Sequence, residues 1–429
     1  MTRGGGADDA RERGLLRRDP VLGVPIPAYD GRSIANVVRT VARTVGVERS
    51  KGVLPPLAPE LDPFGGGSAP GPIVILLVDG LGWRGFSRWA AGSGARGRRW
   101  AAAAHPITSV FPTTTAAGLT SLSTGLAPAA HGLVGYRQYL PTYGTVADLL
   151  RMSPVLVPGM DLLVGPRWRP ALVAGGGTWF RRGLRGAAVS RDRFRGSGFT
   201  RVLYDGASYT GYATAVDLAH QLAQLLASRA PPPVVFAYWD ELDTIQHLHG
   251  PGARALFDLE LGRVVDLLRH VARSIGPARG GATTLLVTGD HGQVGARADR
   301  QVRVDRLPAL RRAMARPLAG DRRAGFFVAR SGRTEALRAA LSRALPRGAR
   351  LLDARVAIER GLFGPPPFHP ELEERVGDLI ALVPEPWGLT WTAPGARPPA
   401  RYLLGAHGGL AAEELLVPLV AGRLDALAS

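Results

Sequence analysis

Acidic and histidine side chains stand at or near the ends of apolar runs in this sequence, where they could bind a metal ion. Together with one histidine from a glycine-rich stretch near the C-terminus, they are Asp79, Asp243, His247, Asp290, His291 and His407. Carboxylate oxygens and imidazole nitrogens are suitable ligands for zinc-like ions. Taken singly, each Asp is more often a turn former or a helix cap, but the combination predicts a metal site. The sequence has no cysteine, which excludes disulfides, thiolate metal sites and thiol nucleophiles.

A threonine-rich segment supplies a candidate nucleophile. Residues 109–125 read SVFPTTTAAGLTSLSTG, and Pro112 with the three threonines after it is typical of a loop that enters a helix near Thr115. A hydroxyl at a helix N-terminus faces the positive end of the helix dipole and free backbone N–H groups, an environment that suits phosphate. The simpler interpretation, a threonine that only caps the helix, stays open at this point.

The apolar runs that carry the acidic residues are typical of buried strands. The three runs are 73–78, 234–239 and 283–288. Continuous apolar runs of this length suit central strands of a parallel sheet that is covered on both faces. Helical patterns lie between the runs, at 214–228 and 253–274, so we predict an α/β fold with a mainly parallel central sheet flanked by helices. Functional groups of such sheets gather beyond the carboxyl ends of the strands.

The composition changes along the chain and indicates its organisation. Residues 1–20 are polar and rich in charged residues, which predicts a flexible N-terminal arm. The main domain is expected to comprise 21–295 and to be completed by 400–429. The stretch between them, 296–399, is expected to form a small inserted α+β subdomain or a cap over the site. Asp240, directly after one apolar run, is expected to be a solvated turn residue.

The net charge is strongly positive: 53 basic against 35 acidic residues give +18, which favours anionic partners. The arginines are spread along the chain without alternating aromatics, so we expect a small phosphorylated substrate and no specific nucleic-acid binding. The N-terminal residues lack the pattern of a signal peptide, and the apolar run at 72–78 is far shorter than the roughly 20 residues of a membrane-spanning helix. We therefore expect a cytoplasmic protein without a membrane span; the sequence does not indicate its oligomeric state.

The ordered set of motifs resembles the alkaline phosphatase superfamily, and most closely its type I phosphodiesterase/nucleotide pyrophosphatase branch. The matching motifs are Val78-Asp79-Gly80, Phe111-Pro-Thr-Thr-Thr115, Ser123-Thr-Gly125, His131-Gly132, Asp243-Thr-Ile-Gln-His247, Asp290-His291-Gly292 and His407-Gly408. No single motif is decisive, but their order and spacing together are specific. The resemblance implies an alkaline-phosphatase-like core.

The same resemblance implies two divalent metal ions, usually zinc, with manganese or iron as alternatives. One ion would be bound by Asp243, His247 and His407. The other would be bound by Asp79, Asp290, His291 and Thr115. Three carboxylates and a threonine alkoxide carry four negative charges, which balance two dications. The implied activity is phosphoric ester hydrolysis through a phosphothreonine on Thr115, with one ion activating the hydroxyl and the other stabilising the leaving oxygen.

The sequence departs from the family pattern in two places. The branch has an asparagine shortly after its His-Gly pair that contacts a phosphoryl oxygen; here that place falls on Tyr136, beside Arg137. Residues 116–119, AAGL, stand where the branch usually has aromatic-Pro-Asn-His. Tyr136 could donate a hydrogen bond to substrate and Arg137 could favour a dianionic monoester, or both could be structural. A phosphomonoesterase, phosphonate hydrolase or phosphomutase of the same superfamily is therefore an alternative, and a catalytically inactive Arg-rich anion-binding module is the non-enzyme alternative.

Overall fold

The fold centres on a seven-stranded sheet in which one strand opposes the direction of the others. The computed structural model describes residues 12–47, 54–157, 159–165, 173, 177–395 and 401–429. The strands of these residues are, in chain order, β1 (Ile73–Val78), β2 (Ala104–Thr108), β3 (Arg137–Leu140), β4 (Thr145–Asp148), β5 (Ser153–Pro154), β6 (Gly186–Arg191), β7 (Ser208–Tyr212), β8 (Val234–Trp239), β9 (Thr284–Thr288), β10 (Val294–Gly295), β11 (Gln301–Arg303), β12 (Ala319–Gly320), β13 (Ala324–Phe327), β14 (Arg350–Asp353), β15 (Leu379–Leu382), β16 (Gly388–Thr390), β17 (Gly405–Ala406) and β18 (Leu416–Arg423). The order of the central sheet is β2-β18-β9-β1-β8-β6-β7, and β18 is antiparallel to both of its neighbours.

Helices cover both faces of this sheet. The main α-helices are α1 (Ile34–Thr44), α2 (Trp83–Gly92), α3 (Gly94–Ala102), α4 (Thr115–Thr124), α5 (Pro128–His131), α6 (Gly198–Leu203), α7 (Ala215–Ala227), α8 (Glu241–His249), α9 (Arg254–Ile275), α10 (Pro277–Ala282), α11 (Pro308–Ala313), α12 (Thr334–Ala344), α13 (Ala354–Glu359), α14 (Leu372–Val376), α15 (Ala412–Leu415) and α16 (Leu424–Ala428). Among the described residues, no helix combines the length and the apolar character that crossing a membrane requires.

Strand β1 shows why the apolar runs predict buried strands. Its side chains alternate between two faces: those of Ile73, Ile75 and Leu77 pack in one core with α1 and α4, and the others pack in a second core with α2, α7 and α9. Both faces are therefore covered by helices, which is why the run contains no polar residue. The predicted α/β fold with a mainly parallel central sheet is confirmed. The third predicted strand begins one residue later than expected, at Thr284.

A second sheet, also of seven strands, is antiparallel throughout. Its order is β14-β15-β13-β12-β3-β4-β5. Strands β12 to β15 come from the stretch 296–399 that was expected to form a subdomain, whereas β3 to β5 precede that stretch. The two groups meet where Gly320 pairs with Arg137. This sheet therefore draws on both sides of the expected boundary, and the division of the chain into domains stays a prediction.

Part of the expected N-terminal arm is attached to the body of the protein. Leu15 is buried in the core that contains α2 and α9. Asp19 is also buried and accepts a hydrogen bond of 2.6 Å from the guanidinium of Arg360. Residues 1–11 of the expected arm lie outside the described residues.

A buried ion pair joins the second sheet to the C-terminal part of the chain. Arg323, in the turn between β12 and β13, donates to both carboxylate oxygens of Glu414, at 3.3 and 3.2 Å. The two side chains are 4% and 0% exposed. Glu414 also accepts a hydrogen bond of 2.8 Å from the backbone N–H of Gly409, in the loop that follows His407. The pair therefore holds this loop and the β12–β13 turn together.

We expect Glu414→Gln to destabilise the protein by about 3 kcal/mol, because the substitution leaves the buried Arg323 guanidinium without a counter-charge. The free energy of unfolding in urea measures the effect. The matched control is Glu359→Gln, which breaks the 2.9 Å pair with Arg355 on an exposed face of α13 and should cost about 0.5 kcal/mol or less. Equal effects of the two substitutions would contradict this assignment.

Candidate active site

The carboxyl ends of three adjacent strands bring most of the predicted site residues together. Asp79 follows β1, and Asp290 and His291 follow β9, which pairs directly with β1. Strand β8, on the other side of β1, leads into α8, where the four-residue spacing places Asp243 and His247 on one helical face. The distance between Asp243 Oδ2 and His247 Nε2 is 3.4 Å. The predicted convergence of strand ends is present in the structure.

The turn after β1 depends on glycine. Gly80 has a φ of +74°, and a Cβ at this position would lie 3.0 Å from Cα of Asp243. Its backbone N–H donates a hydrogen bond of 3.1 Å to Asp290 Oδ1. The Asp79-Gly80 motif therefore lets the ends of β1, β8 and β9 approach one another closely.

Thr115 lies at the start of α4 and contacts a first group of site residues. Its Oγ1 lies 3.2 Å from Nε2 of His291. The same nitrogen lies 3.5 Å from Asp79 Oδ1 and 3.6 Å from Asp290 Oδ2. We call Thr115, Asp79, Asp290 and His291 the Thr115 cluster. All four side chains are buried. The helix-capping position belongs to Thr114, whose side chain makes no capping hydrogen bond, so the hydroxyl of Thr115 serves the cluster and not the helix end.

A second group of residues is completed from the C-terminal part of the chain. His407 follows the short strand β17, and its possible ligand nitrogen lies with those of Asp243 and His247 within a span of 4.8 Å. We call Asp243, His247 and His407 the His407 cluster. The rings of His407 and His291 stack with centroids 3.8 Å apart, so the two clusters are in contact. Ligand atoms of Asp79, Asp243 and His291 also lie within 4.8 Å of one another, which makes Asp243 the residue between the clusters.

All three histidines are oriented by backbone carbonyl groups. Nδ1 of His247 lies 2.9 Å from the carbonyl oxygen of Gly405, and Nδ1 of His407 lies 2.9 Å from that of Thr113. Nδ1 of His291 lies 3.1 Å from the carbonyl oxygen of Gly292. A carbonyl oxygen only accepts, so each Nδ1 carries the hydrogen and each Nε2 presents a lone pair to the site. This is the arrangement of metal-binding histidines.

The carboxylates of the Thr115 cluster lack compensation for their charge. Asp79 Oδ1 and Asp290 Oδ2 are buried and have no hydrogen-bond partner among the described residues. Burial raises the pKa of Asp79, as do the neighbouring carboxyls of Asp290 and Asp243, and burial raises the pKa of Asp290 to about 6. Burial also lowers the pKa of His291 to about 4, so the histidine supplies no positive charge at neutral pH. Unpaired carboxylate oxygens facing neutral imidazole nitrogens fit a bound cation.

Several residues that the sequence analysis did not single out support these clusters. The Tyr238 hydroxyl, from β8, donates to Asp79 Oδ2, and the Gln293 amide donates to Asp243 Oδ1. The Gln246 amide donates to the Gly80 carbonyl oxygen at 2.8 Å. Gln246 and Gln293 each lie within three residues of a predicted ligand, which is the signal that could have identified them. Nothing in the apolar run of β8 distinguishes Tyr238.

Of the two predicted substrate-binding residues, Arg137 begins β3 and pairs with Gly320 of β12, and Tyr136 directly precedes this strand. Tyr136 is largely buried, and its phenol lies beside Asp148, whose charge together with burial raises the pKa of Tyr136. Arg137 donates a hydrogen bond of 3.0 Å to the carbonyl oxygen of Trp391. These contacts do not test substrate binding, which stays a prediction for both residues.

The expectation for Asp240 is wrong. This residue is 7% exposed, and its carboxylate accepts hydrogen bonds of 2.7 Å from Arg191 and from Arg193. The two arginines come from the end of β6 and the turn after it, so Asp240 ties this edge of the sheet to the start of α8. A position that follows a strand resembles a solvated turn in the sequence, because the arginines that cover it are almost fifty residues away.

Comparison with known sequences identifies the family. The family profile described as Type I phosphodiesterase / nucleotide pyrophosphatase matches residues 73–410. The chain belongs to this family. The resemblance inferred from the motifs is confirmed, and so is the enzyme class: this type I phosphodiesterase family member is a phosphoester hydrolase. No curated protein matches the sequence significantly.

Solved structures support the same fold. Murine ectonucleotide pyrophosphatase/phosphodiesterase 5 matches with a TM-score of 0.59 and 18% identity, over 82% of this chain and 90% of that chain. An inactive threonine-to-alanine variant of the murine protein in complex with AMP matches with a TM-score of 0.60 and 17% identity, over 83% and 90% of the two chains. The human protein of the same name matches with a TM-score of 0.58 and 16% identity, over 82% of this chain and 87% of that chain. At these identities the likeness establishes the alkaline-phosphatase-like fold alone.

We expect zinc to raise the melting temperature of chelator-treated protein by roughly 3–8 °C, because an ion that binds the folded state offsets the buried carboxylates. Thermal unfolding with and without added zinc measures the rise. Asp243→Asn, which alters the residue shared by both clusters, should remove most of it. Asp192→Asn, at an exposed carboxylate paired with Arg195, is the control and should keep the full rise. A rise that survives in Asp243→Asn would contradict the metal site.

Proposed function

We propose that the protein hydrolyses phosphoric esters through a phosphothreonine formed on Thr115, with two divalent metal ions as cofactors. The observation that carries the proposal is the Thr115 hydroxyl, buried 3.2 Å from His291 Nε2 at the beginning of α4 and beside unpaired carboxylate oxygens. A hydroxyl in this position has no structural task in the helix cap and faces the carboxylates and the imidazole that would hold a metal ion.

In this proposal the two clusters each hold one ion. Asp79, Asp290, His291 and Thr115 would hold the first. Asp243, His247 and His407 would hold the second. The mixed carboxylate and imidazole donors suit zinc, and manganese or iron are the alternatives. When bound, the ions supply positive charge that favours the Thr115 alkoxide and offsets the charge on the phosphoryl oxygens.

The proposed reaction has two chemical steps, transfer of the phosphoryl group to Thr115 and hydrolysis of the phosphothreonine. Thr115 Oγ1 gives up its proton and forms a bond to phosphorus, while the bond between phosphorus and the leaving oxygen breaks and the leaving oxygen takes up a proton to depart as the alcohol. Water then attacks phosphorus, the bond to Thr115 Oγ1 breaks, the phosphoryl product leaves, and a proton of the water restores the threonine hydroxyl. The carbonyl contacts of His247, His291 and His407 keep their Nε2 atoms directed at the site throughout, and burial of the Thr115 cluster excludes bulk water from the nucleophile.

The substrate is proposed to be a small phosphorylated molecule. The AMP complex of the murine neighbour supports a nucleotide-type ester, as does the family description. Tyr136 and Arg137 are proposed to contact the substrate, and their types leave phosphomonoester hydrolysis as the alternative. The cytoplasmic location and the absence of specific nucleic-acid binding remain predictions from the sequence.

We expect Thr115→Ala to lower kcat by about 10³-fold or more, because the nucleophile is lost. Hydrolysis of 4-nitrophenyl phosphate and of bis(4-nitrophenyl) phosphate by zinc-loaded protein measures the effect and shows which ester class is preferred. Thr115→Ser keeps a hydroxyl and is the matched control, with kcat well above that of the alanine variant. Metal content is measured in all three proteins. Full activity of Thr115→Ala would mean that another group is the nucleophile.

A further inference from the structure

Each of the three site carboxylates has one oxygen that the protein binds and a second oxygen that it leaves to the site. Asp290 Oδ1 accepts hydrogen bonds of 3.1 and 3.0 Å from the backbone N–H groups of Gly80 and His291. Its Oδ2 has no hydrogen-bond partner among the described residues. For the other two carboxylates the donor is a side chain and not the backbone. These two donors can therefore be removed one at a time by substitution.

The first side-chain donor is Tyr238, which reaches Asp79 along one face of the central sheet. Tyr238 pairs with Leu77 in the register of β1 and β8, and Asp79 follows two residues later, where the alternation of a strand returns to the same face. The tyrosine is 7% exposed, and its hydroxyl donates to Asp79 Oδ2. Asp79 Oδ1 is left 3.5 Å from His291 Nε2. Tyr238 therefore directs one oxygen of Asp79 at the Thr115 cluster.

The second side-chain donor is Gln293, which binds Asp243, the residue between the two clusters. Its amide nitrogen donates to Asp243 Oδ1 and, at 3.2 Å, to the Asp243 backbone carbonyl oxygen. Asp243 Oδ2 is left 3.4 Å from His247 Nε2. Gln293 is 5% exposed and packs against Gly405, whose carbonyl oxygen contacts His247 Nδ1. Gln293 therefore turns the shared aspartate toward the His407 cluster.

Both donors are neutral, although the chain has 53 basic residues. Elsewhere in the fold a buried carboxylate such as Glu414 is paired with a guanidinium, that of Arg323. In the described part of the chain no arginine lies within ion-pair distance of a site carboxylate, whose partners of this kind are histidines. A guanidinium would supply the positive charge that an ion must supply. A phenol and an amide instead satisfy one oxygen and leave the negative charge to the ion.

We propose that Tyr238 and Gln293 are positioning residues that set the affinities of the two metal sites separately. Tyr238 acts on the ion of the Thr115 cluster, and Gln293 acts on the ion of the His407 cluster. Without its donor, each carboxylate is free to rotate, and its ligand oxygen is no longer held toward its own ion. The inference rests on the proposed function, because it takes the two clusters as metal sites.

Proteins that keep only one metal site test the assignment. His247→Ala removes a ligand of the His407 cluster and leaves the Thr115 cluster to bind zinc, whereas Asp290→Asn leaves the His407 cluster. Metal analysis establishes that each of these proteins binds one ion. Competition with a chromophoric chelator then gives the dissociation constant of the remaining site, and the measurement requires no turnover.

The two substitutions are expected to have opposite patterns. In the His247→Ala protein, Tyr238→Phe should weaken zinc binding by about 10- to 100-fold, as is usual for groups that orient a metal ligand, and Gln293→Met should not weaken it. In the Asp290→Asn protein, Gln293→Met should cause the loss of affinity and Tyr238→Phe should not. Gln293→Leu also lacks the donor and serves if the methionine variant does not fold.

Two control variants remove equivalent hydrogen bonds that do not reach a site carboxylate. Tyr212→Phe removes a buried hydroxyl that donates a 2.8 Å hydrogen bond to the backbone carbonyl oxygen of Tyr238. Gln221→Met removes an amide that donates a 3.1 Å hydrogen bond to the carboxylate of Asp217, at the start of α7. Both controls should keep the zinc affinity of each single-site protein.

The site at which affinity is lost separates positioning from a general effect on the fold. If Tyr238→Phe or Gln293→Met weakens both sites equally, or weakens neither, the proposal is overturned. If the wild type binds no zinc, the metal sites of the proposed function fail and this inference fails with them. If the wild type binds two ions and hydrolyses no ester, the proposed reaction fails, and the opposite patterns in the single-site proteins still establish the roles of Tyr238 and Gln293.

Discussion

The site depends on one electrostatic constraint: three carboxylates lie side by side, and two of them are buried where water cannot screen their charge. Asp79 and Asp290 are inaccessible to solvent, and Asp243 reaches both the first cluster and the second. Burial favours the protonated form of such groups, whereas positive charge at their centre favours the carboxylates. The sheet order β9-β1-β8 creates this proximity, because each of the three acids follows one of these adjacent strands. The arrangement that forms the fold therefore also makes the site depend on cations.

His407 completes the site from the far end of the chain, and little regular structure holds it. Strand β17 has two residues, and the loop after it relies on side chains for support. The Thr113 hydroxyl accepts a hydrogen bond of 3.0 Å from the backbone N–H of Gly408. The Glu414 carboxylate accepts one from the backbone N–H of Gly409 and also forms the ion pair with Arg323. The second sheet, which contributes no residue to either cluster, thus orients the loop of one proposed metal ligand. It also places Asp321, in the β12–β13 turn, 4.0 Å from His407 Nδ1.

The sequence allowed the central sheet and the acids at its strand ends to be predicted for a physical reason, whereas the division of the residues into two clusters came from the family resemblance. Strands covered on both faces are continuously apolar, so the acids that end them stand out. The supporting residues have no comparable signal, since Arg323 and Glu414 are separated by about ninety residues and meet only through the fold. Asp240 was misjudged for the same reason, because its partners Arg191 and Arg193 lie at the end of β6 and in the turn after it, far away in the sequence.

The residues after Thr115 pack against the protein interior. Ala116 and Ala117 are fully buried, and a Cβ at Gly118 would lie 2.8 Å from the Asp290 Cβ. A larger side chain at residue 118 would displace a member of the Thr115 cluster, so this turn of α4 faces protein and not substrate. The β12–β13 turn, in contrast, lies beside the His407 cluster, where Asp321 Oδ2 is 4.0 Å from His407 Nδ1. The Arg323–Glu414 pair keeps this turn and the loop of His407 together, although neither of these side chains belongs to the two clusters.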